Sequence, residues 1–280
     1  MRVVVVGCNG FIGRSVVREL NFLGIENVGI AKEDFNLLDD STSSKLKSVL
    51  RKHDQIVFTS AIAPSKSAED VRKSIRMADV FCNSVLELNI KQVILISSDS
   101  VYGDKSGLFD EYSTCDPNSF HGLAQLSREI ILKDSKIQNL AILRLCAVYG
   151  EGDPHNGYGP NRFINQIRNS ETIKVFGKGL NYRDHIHIED VVNLIIRILK
   201  VNFSGTLNIV TGKSYSFNEV AKKCRDIFSP QTKIECSGSE DQVIVKSFDI
   251  SKINEIFPDF KAMNLDSGLE FWKKQEKLLN

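Results

Sequence analysis

Residues 2–13 read Arg2-Val3-Val4-Val5-Val6-Gly7-Cys8-Asn9-Gly10-Phe11-Ile12-Gly13. A β-branched run, which predicts a strand, leads directly into three evenly spaced glycines. The three serve different needs. Gly7 permits a tight turn, Gly10 lets backbone approach a pyrophosphate, and Gly13 allows close packing of helix on sheet. The helix that follows offers free N–H groups and a partial positive charge to phosphates. This strand–turn–helix context predicts a dinucleotide site on Gly7, Asn9, Gly10, Phe11, Ile12 and Gly13. At the end of the second strand candidate the chain reads Val28-Gly29-Ile30-Ala31-Lys32, with Glu33 and Asp34 only afterwards. Lys32 suits a 2′-phosphate better than two ribose hydroxyls, so NADP is expected ahead of NAD.

Outward from this turn, short apolar runs alternate with helical patterns. Strands are expected over 2–6, 27–31, 55–59, 92–97, 140–144 and 206–210, and helices over 12–22, 71–88, 122–134 and 189–199. This order predicts an α/β fold, a doubly wound parallel Rossmann sheet with helices on both faces. The stretch 150–159 holds four glycines and Pro154, which break any regular element. From Ser214 the texture becomes helix, short strand and helix, ending in a helix over 265–279. Residues 1–150, with about 184–212, are therefore expected to form the dinucleotide-binding domain. Residues 151–183 and 213–280 should form a smaller α+β substrate lobe.

A net charge of +1 gives no global pull toward nucleic acid or an anionic membrane, so any anion site must be built locally. Six cysteines, at 8, 82, 115, 146, 224 and 236, include no C-x-x-C pair. They are expected to be reduced and mostly buried, as in a cytosolic protein. No apolar run reaches the ~18 residues of a membrane span, and the expectation is a soluble cytoplasmic protein without a membrane partner.

Further segments carry a resemblance. They are the G-x-x-G-x-x-G turn, Asn36-Leu37-Leu38-Asp39, and Ser97-Ser98-Asp99-Ser100-Val101-Tyr102-Gly103. Asp110-Glu111, Pro117, Gly122 and Glu129 follow in order, then Arg144 through Val148-Tyr149-Gly150, and Tyr182-Arg183-Asp184-His185-Ile186-His187 with Ile188-Glu189-Asp190. Together they resemble the extended short-chain dehydrogenase/reductases of the NAD-dependent epimerase/dehydratase type, the nucleotide-sugar branch. The resemblance implies NAD(P) as cofactor and a nucleoside-diphosphate sugar as partner. It places Asn36, Leu37 and Ala61 against the cofactor, Ser98 at the reacting oxygen, and Tyr102, Asn161, Arg162 and Arg183 against the substrate. A planar guanidinium such as Arg183 suits a diphosphate. Similar proteins form homodimers through a four-helix contact, which here would use helices 71–88 and 122–134.

The chemistry of such proteins rests on Y-x-x-x-K, where tyrosine exchanges a proton with the sugar hydroxyl and lysine lowers its pKa and holds the nicotinamide ribose. The aligned helix here reads Ser119-Phe120-His121-Gly122-Leu123-Ala124-Gln125. His121 takes the tyrosine position and Gln125 the lysine position. Met77 and Ala147 replace asparagines. Two readings follow. In one the machinery has decayed, and the chain is a silent sensor or regulatory subunit that still binds dinucleotide or sugar nucleotide. In the other the chain is an NAD(P)-dependent epimerase or ketoreductase with His121 as acid/base. Neutral imidazole, with an ordinary pKa near ~6.5, can accept an alcohol proton without a lysine. Gln125 could hydrogen-bond the ribose, and Asp99 could orient His121 or donate a proton itself. Some dehydratases of the family carry an acid at that position, but follow it with a glutamate where this chain has Ser100. His185 and His187 read as structural, His53 and His155 have no clustered ligands, and no metal site is expected.

Overall fold

A computed structural model describes residues 1–280 apart from 87, 136, 155, 240, 241 and 280, and the side chains of 277–279 are likewise not described. His155 therefore lies outside the described residues. The chain divides into two compact units.

The first unit comprises Met1–Gly103, Ser113–Leu145 and Val192–Asn208. Its sheet has six strands in the spatial order Gly205–Ile209, Leu140–Leu145, Gln92–Ser98, Gln55–Phe58, Arg2–Val6 and Glu26–Ile30. The four registered pairings from Leu140–Leu145 through Glu26–Ile30 are all parallel. The valine run explains why the sheet is covered twice. Val4 and Val6 join a core with Leu46, Phe81 and Leu132 from three helices. Val3 and Val5 point to the opposite face, because strand side chains alternate, and are buried as well. On strand starts, Gln55 Nε2 donates to the Leu199 carbonyl at 2.7 Å and Gln92 Nε2 to Phe203 O at 2.7 Å, tying the sheet to the chain around helix Ile188–Val201.

The expected strands and helices are present with ends shifted by a few residues. Helix 71–88 runs instead over Ala68–Val85, because the Ser67 hydroxyl accepts from Asp70 N at 3.2 Å and caps it earlier. A helix that the sequence pattern does not announce, Ser41–Val49, returns the chain from the second strand to the third. Strand Glu26–Ile30 is the sheet edge, and most of its residues are not buried.

The second unit comprises Asp104–Tyr112, Cys146–Val191 and Ile209–Asn280. Strands Ser214–Ser216, Tyr182–His187 and Ala147–Tyr149 form one sheet, and Ile234–Ser237 pairs in parallel with Ile173–Phe176. Phe163, Tyr215, Cys224, Leu269 and Trp272 pack in its core. Helix Phe217–Phe228 begins with a capping box in which Ser216 and Glu219 serve each other's backbone amides. The expected domain boundaries shift at several places, since residues 146–150 and 209–212 also fall in this unit. Asp104–Tyr112 belongs here, because Gly107–Phe109 pairs with Lys246–Phe248. The strand at 182–187 also belongs here, so the division falls inside helix Ile188–Val201 rather than near 184.

No described helix is long and apolar enough to cross a membrane. Among the described residues no three His, Cys, Asp or Glu side chains cluster as metal ligands. The cysteines are free thiols; Cys82, Cys146 and Cys224 are buried, Cys8 and Cys115 half-buried, and Cys236 exposed.

Candidate active site

The glycine turn of the first unit is shaped for close approach. Gly7 has φ +95, and a β-carbon there would lie 2.6 Å from Thr59 Oγ1 and 2.7 Å from Ser60 Oγ. A β-carbon on Gly13 would strike the Gly7 carbonyl. The Thr59 hydroxyl donates to Val6 O at 2.9 Å, which fixes the third strand's end beside the turn. Gly10 caps helix Phe11–Phe22 without a side chain, and the first turn carries no acid. Its amides and positive dipole end are thus left for an anion. Phe11 is buried, so its side chain is core and only its backbone belongs to the cradle.

The adenosine side departs from expectation. Lys32 is exposed beyond the strand end, whereas Glu33 returns to the turn and accepts from Asn9 Nδ2 at 3.3 Å. Asn36 Oδ1 accepts from Leu38 N at 3.2 Å. Leu37 packs into the core, which leaves its backbone alone for any ligand. Ala61 lies half-buried in the loop after the third strand.

Ser98 ends the fourth strand. Its hydroxyl accepts from Ser100 N at 3.1 Å and donates to Asp99 Oδ1 at 3.3 Å, which holds the serine loop in a 3-10 turn, Asp99–Tyr102. The helix bearing His121, Phe120–Asp134, is capped by Ser119 Oγ. Gly122 lets its first turn press on this loop, since a β-carbon there would collide with Ser100 O and approach Pro117 to 2.8 Å. His121 thus stands next to the residue that meets the serine loop. Its Nδ1 accepts from Ser65 N at 3.5 Å, a long hydrogen bond that restrains the ring only weakly.

Two buried arginines follow on this helix and its neighbour. Arg128, 1% exposed, donates to Ser60 O at 2.8 Å, Ile96 O at 3.0 Å and Gln125 Oε1 at 2.5 Å. Its guanidinium lies 5.1 Å from the Phe58 ring centroid. Burial pushes its pKa down to about 10, against the opposing pull of Glu129, and it stays cationic at neutral pH. Arg144 instead binds Glu129, which also accepts from Ser97 Oγ at 2.6 Å. Burial works against the Arg144 charge, but Glu129 outweighs it and holds the guanidinium protonated above its ordinary range.

This network corrects one expectation. Tyr102 cannot touch a substrate, because it is fully buried and its hydroxyl donates to Asn208 Oδ1 at 2.7 Å while accepting from Arg144 at 3.0 Å. In the second unit Asn161 is also spent inside the fold. Its Oδ1 accepts from Gly150 N at 3.1 Å and its Nδ2 donates to Asp153 at 2.7 Å. Arg162 is exposed over the Tyr158 ring. Arg183 donates to Tyr182 O at 2.8 Å and forms an ion pair with Asp104. His185 and His187 are buried.

Three contacts are not announced by the sequence pattern: Glu33 on Asn9 and Arg128 on Gln125 in the first unit, and Asp104 on Arg183 in the second. Only Glu33 carries a signal, as an acid just past the second strand.

A sequence model of the NAD dependent epimerase/dehydratase family matches residues 3–210. The chain is 26% identical to the ADP-L-glycero-D-manno-heptose-6-epimerase of Brachyspira hyodysenteriae, over 96% of this chain and 95% of that one. Among solved structures it is similar to the UDP-glucuronic acid 4-epimerase of Bacillus cereus, in complex with UDP-glucuronic acid and NAD. There the TM-score is 0.84 at 23% identity, with both chains covered completely. The UDP-glucose 4-epimerase of Thermotoga maritima, with UDP-glucose, gives a TM-score of 0.84 at 22% identity, again with both chains fully covered.

Proposed function

Because the chain belongs to the NAD-dependent epimerase/dehydratase family, we propose that it is an NAD-dependent enzyme acting on a nucleoside-diphosphate sugar, an epimerase or ketoreductase. The tight turn that only glycine at 7 and 13 allows, with its uncapped helix start, fits a dinucleotide pyrophosphate. NAD is proposed over NADP. Glu33, reaching back to Asn9, can accept from ribose hydroxyls and would repel a 2′-phosphate, while Lys32 stands outside. The Bacillus cereus relative is likewise described with NAD.

Bound there, NAD supplies a hydride acceptor and donor. The chain supplies the proton chemistry. The Ser98 hydroxyl hydrogen-bonds the reacting oxygen. In oxidation the His121 imidazole takes the sugar hydroxyl proton, and in reduction the imidazolium returns it. Asp99, beside Ser98, is the proposed orienting group for the imidazole. Arg183 and Arg162 of the second unit are the proposed diphosphate ligands.

One observation carries this reading: the turn bearing His121 is packed through Gly122 onto the loop of Ser98, where a proton-exchanging group belongs. The test incubates the protein with NAD and a panel of UDP- and ADP-sugars and follows the sugar by NMR. An epimer mixture or keto-sugar is expected. Unchanged sugars throughout, while NAD still raises the melting temperature, would overturn it in favour of a silent binding protein.

A further inference from the structure

Arg128 is a cation kept inside the fold without a carboxylate bonded to it. Its hydrogen-bond partners are the neutral oxygens of Ser60, Ile96 and Gln125, and its Nε is buried with no partner among the described residues. The adjacent acid, Glu129, has both carboxylate oxygens engaged by Arg144. Holding a guanidinium in this state costs several kcal/mol in desolvation. A methionine would fill the slot and cross-link nothing, yet would avoid that cost.

The position of the cation suggests what it does. Through Ser60 it adjoins the glycine turn, where a β-carbon on Gly7 would collide with the Ser60 hydroxyl. Through Gln125 it reaches the position aligned with the missing lysine. Arginine has only donors, so the amide oxygen of Gln125 must face it. The amide nitrogen is thereby turned away from Arg128, and among the described residues it has no acceptor.

We propose that Arg128 and Gln125 together replace that lysine. Arg128 supplies the positive charge from one helical turn further on, and it orients Gln125 so that its NH2 group faces the cofactor ribose. Arg128 is a positioning residue that acts through Gln125. The proposal rests on the NAD-binding reading of this unit, and makes the loss of the lysine a relocation of charge.

The relocation predicts a specific pattern of coupling. A lysine at 125 in the present chain would meet Arg128 as a like charge at contact distance. In a chain without Arg128 the same lysine would restore the cation. NAD affinity by isothermal titration and melting temperature would be measured for the natural chain, Arg128→Met, Gln125→Lys and the double variant. Each single variant should lose on the order of tenfold in NAD affinity, as for one hydrogen bond to a charged group. The double variant should recover most of it. If Arg128→Met proves unfolded, the comparison of Gln125→Lys with the double variant still reads the coupling. A folded Arg128→Met with unchanged NAD affinity, or a double variant as weak as Gln125→Lys, overturns the proposal and leaves the enzyme reading intact. No NAD binding by the natural chain overturns both.

Discussion

Arg144 closes a two-point fork on Glu129, with Nε 3.0 Å from Oε1 and Nη2 2.7 Å from Oε2, and both side chains are buried. A pair of this kind is expensive to break from one side, since the survivor is a buried charge without a partner. Glu129→Gln should therefore destabilise the protein by about 3–5 kcal/mol in urea unfolding. The double variant Glu129→Leu/Arg144→Met should lose less than either single variant. Additive losses would mean that the two charges are not coupled.

Arg183 forms an ion pair with Asp104, whose side chain is half in solvent. If the guanidinium receives a diphosphate, Asp104 competes with the ligand for it. Asp104→Ala should tighten nucleotide-sugar binding by up to roughly fivefold, the scale of an exposed ion pair. The gain should shrink in high salt. Unaltered affinity in calorimetry would remove Arg183 from the ligand site.

His185 is 2% exposed and its Nδ1 donates to the Arg183 carbonyl at 3.0 Å. Burial, reinforced by the Arg183 charge, pushes its pKa down to about 4, although the carbonyl pulls the other way. In the unfolded chain the ring takes up its proton near pH ~6.5, so the folded state binds fewer protons between these values. Stability is then full above about 6.5 and lost as pH falls toward 4, by roughly 3 kcal/mol. Asp184 and Asp190, both raised to about 6 by burial, act oppositely in the same window. The wild-type curve mixes the three, so the comparison with His185→Asn isolates the histidine. Unfolding free energies of the two should converge as pH falls from about 7 to 4; a constant gap would show that His185 is not the titrating group.

The sheet was legible because its strands are β-branched runs that need cover on both faces, as at Val3–Val6 and Val93–Ile96. Helix Ser41–Val49 was not, since it is mostly Ser, Thr and Lys and buries only Thr42 and Leu46. Gly7, Gly10 and Gly13 revealed the cradle because their constraint is local. Tyr102 misled because its place in the serine loop says nothing of a hydroxyl held by Asn208 and Arg144, residues far along the chain. Arg128 was invisible for the same reason. An arginine at a helical position reads as solvated until carbonyls from residues 60 and 96 are seen to close on it.

If His121 exchanges the proton when hydride leaves the sugar, its loss must slow that step. Single-turnover reduction of bound NAD, on mixing with a nucleotide sugar that the wild-type protein turns over, reads the step directly. His121→Ala should bind NAD as the wild type does and form NADH about 10²-fold more slowly or worse. NADH formation at the wild-type rate in His121→Ala would contradict this role for the histidine.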